Sequence, residues 1–599
     1  MSRKVLLIEP NYKNKYPPMG LMKLATYYRN RGDDVRFFKG DLKRFAASLL
    51  CEEFLEEVND PRLGKYVPKL IEHIKTGKYA PIDTIPNFRE CEQESIMKKY
   101  RLRYRNGEFP LFDVVGVTTL FTFYWRVTID TINYSKKFCS EEGRLLVGGI
   151  ASSILHDKIL QETGISPVRG LLNKPGMLDA DSDDIINELP LDYSILEEID
   201  YQYPASNAYL AYMTRGCPRK CAFCAVPRLE PEYKDYIGLK DQIQLATERF
   251  GPQKDLLLLD NNVFFSKHFD KIIDEIKECG FGRGATYIPD SEYNLAMRNI
   301  RDGYNVRAFT RKLIRLYDRI SDRLPEGQQA DFYLERERRN LLYAEVASSA
   351  AITEFDEIVR PLYEKYFKHG KRNRTIDFNQ GVDARLVTEK KMKKLAEVCI
   401  RPLRIAFDHY SMKDTYEGAI RTAAKFGIKN LSNYLLYNFE DDPDDLYYRM
   451  KLNVDLCYDL GVTIYSFPMK YHPIDDPEYF QNRNYIGPHW NRKFIRSVQA
   501  VLNSTKGKIG RDKSFFEEAF GGNVEEFHKI LWMPETFIIH RFKYKDNLTA
   551  DWWRKFNSLG EIQLGKLKEI VAMNLFHDEI TTGDQDVDEV LKFYQMSLA

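Results

Sequence analysis

Three cysteines of this sequence are close enough together to hold one metal centre. Cys217, Cys221 and Cys224 follow the pattern C-x3-C-x2-C. Cysteine thiolates are the usual ligands of iron–sulfur clusters, and a four-iron cluster normally takes four of them. A cluster held by three thiolates keeps one iron atom without a protein ligand, so a small molecule can bind the metal there. Zinc sites usually combine two separated C-x2-C pairs, and this sequence has no second pair.

The segment from Arg215 to Cys224, RGCPRKCAFC, resembles the signature of the radical S-adenosylmethionine (SAM) superfamily, C-x3-C-x-aromatic-C. The resemblance implies that the three cysteines bind a [4Fe-4S] cluster and that Phe223 lies beside the adenine of SAM. It also implies that SAM binds the open iron and is reductively cleaved to a 5′-deoxyadenosyl radical, which abstracts a hydrogen atom from a substrate. Three unrelated buried thiols, or part of a zinc site, are the alternatives.

Length and composition set limits on the kind of protein. With 599 residues, the chain is long enough for roughly three or more domains. The formal charge of +1, from 89 basic and 88 acidic residues, excludes a global field that attracts nucleic acid, so such a partner would need a local patch. Nine cysteines are too few for a disulfide scaffold. The six outside the motif are isolated, which is typical of small buried hydrophobic residues.

Two features of the sequence predict a cytoplasmic protein without a membrane partner. The segment MSRKVLLIEP starts directly as a strand and lacks the pattern of a signal peptide. No apolar run reaches the length that spans a bilayer. An oxygen-sensitive cluster also suits a reducing cytosol.

Residues 1–165 alternate between strand and helix patterns, which predicts an α/β domain with a doubly wound, Rossmann-like sheet. Strands are expected at 5–8, 35–38, 113–118 and 145–147, a helix from Trp125 to Cys139, and a mostly helical insertion at about 41–110. The glycine-containing strand ends resemble the cobalamin-binding type of domain that precedes the barrel in many radical SAM enzymes. The motif D-x-H-x-x-G, which supplies an axial histidine elsewhere, is absent, so cobalamin and a domain without the ligand both stay open.

Residues 166–205 have the composition of a linker, and residues 206–480 are expected to form a partial (β/α)6 barrel. Its strands are predicted at 208–213, 255–260, 375–385, 403–407, 431–437 and 462–467. A helical insertion at about 281–372 separates the second and third strands. Active sites of β/α barrels lie at the carboxyl ends of the strands, where the cysteine loop begins.

Two of these strand ends carry polar side chains that the resemblance assigns to SAM. Asp260, Asn261 and Asn262 follow the second strand, where the family contacts the SAM amino group, although the usual glycines are missing. Gln380, Asp383 and Arg385 follow the third strand and suit ribose hydroxyls and a carboxylate. A salt-bridged strand end is the alternative for the second group. No catalytic residue beyond these cofactor contacts is identified.

Residues 481–599 are predicted to be helical and to cover the active-site end. Their tryptophans and basic residues are typical of a core and its rim, with nucleic-acid stacking as the alternative. The resemblance implies a radical SAM enzyme that uses an electron donor such as flavodoxin or ferredoxin and, if cobalamin binds, transfers a methyl group. An RNA-modifying methylthio- or methyltransferase and a non-catalytic cluster-binding scaffold are the rival hypotheses, and the substrate is not identified.

Overall fold

The structure is a computed structural model that describes residues 2–86, 88, 92–474, 476, 483–507, 509–574, 576 and 580–596. Cys91 lies outside the described residues. Among the described helices, none combines the length and the apolar character needed to cross a membrane. The strands are β1 (Lys4–Ile8), β2 (Asp34–Phe38), β3 (Phe112–Thr119), β4 (Cys139–Gly149), β5 (Ala208–Ala211), β6 (Asp255–Leu258), β7 (Thr286–Tyr287), β8 (Arg372–Asn373), β9 (Thr375–Phe378), β10 (Leu403–Arg404), β11 (Asn430–Tyr437) and β12 (Thr463–Lys470).

Helices connect these strands and make up the described part of the C-terminal region. They are α1 (Met19–Asn30), α2 (Leu42–Val58), α3 (Val67–Thr76), α4 (Glu92–Asn106), α5 (Trp125–Ser135), α6 (Ile150–Ile154), α7 (His156–Thr163), α8 (Val226–Leu229), α9 (Lys240–Phe250), α10 (Phe269–Ile276), α11 (Glu292–Arg301), α12 (Val306–Ser321), α13 (Glu326–Arg338), α14 (Ser349–Tyr366), α15 (Glu389–Leu395), α16 (Lys413–Lys425), α17 (Pro443–Leu460), α18 (Arg492–Ser504), α19 (Lys513–Phe520), α20 (Val524–Trp532), α21 (Glu535–Ile539), α22 (Arg541–Tyr544), α23 (Leu548–Ser558), α24 (Glu561–Ala572) and α25 (Gln585–Gln595).

The N-terminal sheet is parallel, with the strand order β2-β1-β3-β4. The central strand β1 is apolar on both faces because both faces are covered. Val5 and Leu7 join the core under α1, whereas Leu6 and Ile8 face the opposite core, which contains α2 to α5. The insertion at 41–110 and α5 therefore cover one face of the sheet together, and the α/β class expected from the sequence is confirmed.

The predicted helix from Trp125 to Cys139 is wrong at its C-terminal end. Helix α5 ends at Ser135, a short 3₁₀ turn follows, and Cys139 already begins β4, opposite Phe112 of β3. The residues 139–143 are mostly half-exposed, so their apolar pattern does not reveal the strand. Pairing with β3 decides their conformation, since edge positions of a sheet need no apolar alternation.

The strands expected for the barrel form two three-stranded parallel sheets, β5-β6-β9 and β10-β11-β12. Two isolated parallel bridges, Ile376 to Ile400 and Val382 to Ile405, connect β9 to the start and end of the β10 segment. The six strands thus follow each other in the expected order, although several are shorter than expected. Closure into a partial barrel stays a prediction.

The second insertion and the C-terminal region are helical, as the sequence predicts, apart from the short antiparallel pair β7–β8. Helices α11, α12 and α14 enclose a hydrophobic core of their own. The C-terminal helices instead share the large core that contains the strands β5, β6 and β9 to β12, and Trp552 is fully buried in it.

One buried arginine joins the carboxyl ends of β10 and β11. Arg449 of α17 has no exposed surface, and its guanidinium donates to the carbonyl oxygens of Asp408 (3.0 Å) and Leu436 (2.9 Å). It also forms ion pairs with Asp441 (3.4 Å) and Asp445. A fully buried charge is tolerated only when such partners surround it.

We predict that Arg449→Met lowers the stability of the chain by about 3–5 kcal/mol, because it leaves two carboxylates and several carbonyl groups without their buried partner. Thermal unfolding followed by circular dichroism would show this as a lower apparent melting temperature. The control is Arg421→Met, which removes an exposed pair with Glu417 and should cost less than about 1 kcal/mol. Equal effects of the two substitutions would contradict the prediction.

Candidate metal centre

The three cysteines lie together on the loop that leaves the carboxyl end of β5 and ends at α8. All three are free thiols and half-buried, and the N–H of Cys224 donates to the carbonyl of Cys221 (3.0 Å). Burial is the largest cause that raises the pKa of the Cys221 thiol, and the nearby charges of Cys224 and Cys217 raise it further. The thiols are therefore neighbours, as the spacing C-x3-C-x2-C predicts.

The chemistry of this donor set can be compared with two kinds of metal site. Among the described residues, no group of three or more His, Cys, Asp or Glu side chains is arranged to hold a single metal ion. A zinc ion needs its ligands around one point. In an iron–sulfur cluster each cysteine binds a different iron atom, so three neighbouring thiols that do not converge still suit it.

A sharp turn at Gly216 brings the first cysteine into place. Gly216 has a φ of +69°, and a Cβ atom there would lie 2.2 Å from the carbonyl oxygen of Glu232. The loop folds back on itself through an antiparallel bridge between Arg215 and Lys234. Glu230 accepts from the N–H of Gly216 (2.9 Å) and pairs with the Arg215 guanidinium. Only glycine fits this turn, because both its φ and its surroundings exclude a side chain.

Asp260, which the sequence assigns to SAM, is fully buried beneath the cysteine loop. Its carboxylate accepts from the N–H of Met213 (3.1 Å) and from both the N–H and the hydroxyl (2.7 Å) of Thr214. Burial raises the pKa of Asp260 to about 6, against the opposing effect of these hydrogen bonds. The carboxylate thus ties the end of β6 to the start of the loop, and its contact with SAM stays a prediction.

The two asparagines after Asp260 also face the loop. The side-chain amide of Asn261 donates to Glu230 (3.0 Å), and that of Asn262 points at the sulfur of Cys217 (3.8 Å). The Oδ1 atom of Asn262 is buried and has no partner among the described residues. An amide donor beside a ligand sulfur is one of the features that tune the potential of a cluster.

The end of β9 meets the same loop from the other side. Asp383 accepts from Arg219 of the cysteine loop (3.0 Å) and from Arg385 (2.7 Å). The charge of Arg385 opposes the rise in the pKa of Cys221. Gln380 is exposed at the same strand end. The structure therefore brings Asp383 and Arg385 to the thiols, while the contacts of all three residues with SAM stay predictions.

An aromatic wall, formed by Phe223, Phe439 and Tyr471, connects the cysteine loop with the ends of β11 and β12. The rings of Phe223 and Phe439 meet edge to face at 5.8 Å, and those of Phe439 and Tyr471 do so at 4.7 Å. Edge-to-face pairs leave ring faces available for a third aromatic group. Phe223 thus belongs to this wall, and its contact with the adenine of SAM stays a prediction.

The carboxyl end of the N-terminal sheet faces this region. Helix α6, which follows β4, packs against α8, which follows the cysteine loop. The hydroxyl of Tyr16, in the loop after β1, donates to Asn379 at the end of β9. The segments that follow the strands of the N-terminal sheet therefore contact those of the β5-β6-β9 sheet, and such strand ends are where ligands bind in α/β folds.

A cavity of about 190 Å³ lies at the strand ends of the N-terminal sheet, and most of its lining is apolar. A Cβ atom on Gly148 would meet nothing within 4 Å, whereas one on Gly149, at a φ of +116°, would lie 2.4 Å from the carbonyl oxygen of Thr119. Lys23 lines the cavity, and burial lowers its pKa to about 8. Gly148 thus leaves open space at the cavity, whereas Gly149 lets the backbone pass close to that of Thr119.

Sequence reasoning missed two acidic residues of this region. Glu230 pairs with Arg215 and accepts hydrogen bonds from Gly216 and Asn261. These contacts form only because the loop folds back on itself, and no local sequence pattern predicts that. Asp408 follows β10, and its charge raises the pKa of both Cys221 and Cys224. Its position after a strand was a signal that could have identified it.

No protein-family model matches the sequence, and no curated protein matches it. The fold is similar to two solved structures of the radical S-adenosylmethionine methyltransferase TsrM from Kitasatospora setae. The one with cobalamin and a [4Fe-4S] cluster bound has 13% sequence identity and a TM-score of 0.40, and the match covers 79% of this chain and 76% of that chain. The one with its tryptophan substrate and the SAM analogue aza-SAM has 12% identity and a TM-score of 0.39, over 78% and 73%.

We predict that Gly216→Ala lowers the iron bound after anaerobic reconstitution by about tenfold or more, since the added Cβ displaces the turn that carries Cys217. Iron and sulfide per chain would be measured. Gly164→Ala is a matched control, because Gly164 has the same φ of +69° but open space around its Cβ position. The control shares the backbone strain without the clash, so equal losses of iron in both variants would contradict the prediction.

Proposed function

We propose that this chain is a radical SAM enzyme that binds a [4Fe-4S] cluster through Cys217, Cys221 and Cys224 and transfers a methyl group with cobalamin in its N-terminal domain. The observation that carries the proposal is the placement of three neighbouring free thiols at the carboxyl end of β5. The cavity of the N-terminal sheet supports the cobalamin part of the proposal. Helix α6 begins directly after Gly149, which lines the cavity, and packs against α8.

The residues around the thiols suit a reducible cluster. When bound, the cluster and SAM supply the one-electron chemistry that the signature implies. Arg219 and Arg385 bring positive charge beside the loop and share Asp383 as their common partner. The amide of Asn262 adds a donor toward Cys217. Positive charge and donors near the sulfurs make a cluster easier to reduce, and flavodoxin or ferredoxin would supply the electron.

The proposed SAM site lies between the cysteine loop and the ends of β6, β9 and β11. The aromatic wall offers ring faces for the adenine, with Phe223 nearest to the cluster. Gln380 and Arg385 are exposed and can contact ribose hydroxyls and a carboxylate. The unpartnered Oδ1 atom of Asn262 is an acceptor for the SAM ammonium group.

The cavity of the N-terminal sheet fits part of a large flat cofactor. Its lining is apolar, it lies where doubly wound folds bind ligands, and Gly148 leaves open space there. When bound, cobalamin would carry the methyl group between SAM and the substrate. The role of this chain is to bind it, exclude water and hold it toward the cysteine loop.

We predict that Cys217→Ala, Cys221→Ala and Cys224→Ala each abolish SAM cleavage, because a cluster with fewer thiolate ligands is not retained. The full chain would be reconstituted anaerobically with iron and sulfide, reduced with dithionite, and assayed for 5′-deoxyadenosine or S-adenosylhomocysteine. The control is Cys139→Ala, which removes another free, half-buried thiol and should leave cleavage unchanged. Wild-type protein that holds its cluster but leaves SAM intact would overturn the catalytic proposal.

We also predict that Gly148→Leu weakens hydroxocobalamin binding by about tenfold or more while the iron content stays unchanged, because the leucine fills the open space of the cavity. Absorbance after incubation and desalting measures the bound cobalamin. Gly418→Leu is the control, since Gly418 also has open space at its Cβ position but lies in helix α16, outside the lining of the cavity. Cobalamin retained equally by both variants would place the cofactor elsewhere.

A further inference from the structure

A buried histidine lies just beyond the end of β12 and has no assigned role. His472 is 8% exposed, and neither of its ring nitrogens has a hydrogen-bond partner among the described residues. Buried polar groups are nearly always hydrogen-bonded. An imidazole with two unsatisfied nitrogens can therefore accept a partner that the described residues do not supply.

Two cations flank this histidine. Lys470 is the last residue of β12, and its ammonium donates to the backbone carbonyl of Arg483 (2.5 Å). The charge of the Arg483 side chain acts on both Lys470 and His472. The guanidinium of Arg483 lies 4.7 Å from the ring centroid of Phe123, in the segment after β3 of the N-terminal sheet. We call Lys470, His472 and Arg483 the basic triplet. It lies where the end of β12 meets the end of the N-terminal sheet.

The basic triplet lacks a described counter-charge. Within the described part of the chain, no carboxylate forms an ion pair with Lys470 or Arg483, and Arg492 adds a further positive charge near Lys470. Burial and the charges of Arg483 and Lys470 lower the pKa of His472 to about 4. Holding like charges around a buried ring costs free energy unless an anion joins them.

The position of the basic triplet relates it to the proposed reaction. Tyr471, between Lys470 and His472, is the far ring of the aromatic wall, and Phe223 of the cysteine loop is the near one. The triplet is thus two ring contacts away from the cysteine loop, on the β12 side. The polar residues proposed for SAM follow β6 and β9 instead, whereas the aromatic wall proposed for its adenine lies between them and the triplet.

We propose that Lys470, His472 and Arg483 form a subsite for an anionic group, a carboxylate or a phosphate, of the substrate. The inference rests on the function proposed above and narrows the substrate to an acid. Arg483 offers a planar fork of donors, Lys470 a point charge, and neutral His472 one donor nitrogen. The net charge of +1 and the small size of the triplet favour a single anionic group over a nucleic-acid backbone.

Anion binding to the reconstituted full chain tests this subsite. Sodium acetate and inorganic phosphate serve as probes in calorimetric titrations at low ionic strength. We expect millimolar binding of one of them, and the preferred probe distinguishes a carboxylic acid from a phosphorylated substrate. The double substitution Lys470→Gln with Arg483→Gln should weaken binding by about tenfold or more, equivalent to about 1.4 kcal/mol or more. The control Arg554→Gln, at an exposed position of α23, should not change it.

Two further measurements separate this subsite from the SAM site. The double variant should still cleave SAM, and saturating SAM should not displace the anion. Unchanged anion binding in the double variant, or no binding by the wild type, would overturn the subsite while leaving the radical SAM proposal intact. Displacement of the anion by SAM would assign the triplet to the cofactor and also overturn it. If the wild type did not cleave SAM, the proposed function would be refuted instead. The titration would still measure whether the chain binds the anion.

Discussion

The candidate site depends on one buried carboxylate that organises a loop with little secondary structure of its own. The carboxylate of Asp260 accepts hydrogen bonds from the backbone N–H groups of Met213 and Thr214, which fixes the direction in which the cysteine loop leaves β5. Ionising a carboxylate without solvent is unfavourable, which the raised pKa of Asp260 reflects. The backbone donors offset part of that cost, and the loop gains a defined conformation from it.

Paired charges also surround the three thiols. Arg215, Arg219 and Arg385 each have a carboxylate partner among the described residues. Three thiolates close together repel one another, and a nearby cation reduces that repulsion, as the charge of Arg385 does at Cys221. The loop is therefore suited to hold negative charge as well as sulfur.

The sequence predicted those features that local patterns encode. The apolar run of β1 and the spacing of the three cysteines correctly placed a buried strand and a cluster of thiols. It failed where a distant partner decides the outcome, as at Cys139, which pairs with β3 instead of extending α5. Glu230 could not be predicted, because its role depends on the loop returning to Arg215. The sequence likewise cannot show that the ring nitrogens of His472 are buried without a hydrogen-bond partner among the described residues, because this depends on the tertiary structure.

The packing of α6 against α8 has a mechanical consequence. Helix α6 begins directly after Gly149 at the cavity, and α8 begins two residues after Cys224. A shift of α6 would therefore displace α8 and, with it, the segment that carries the last thiol of the motif. That segment is thus held in place from both halves of the chain.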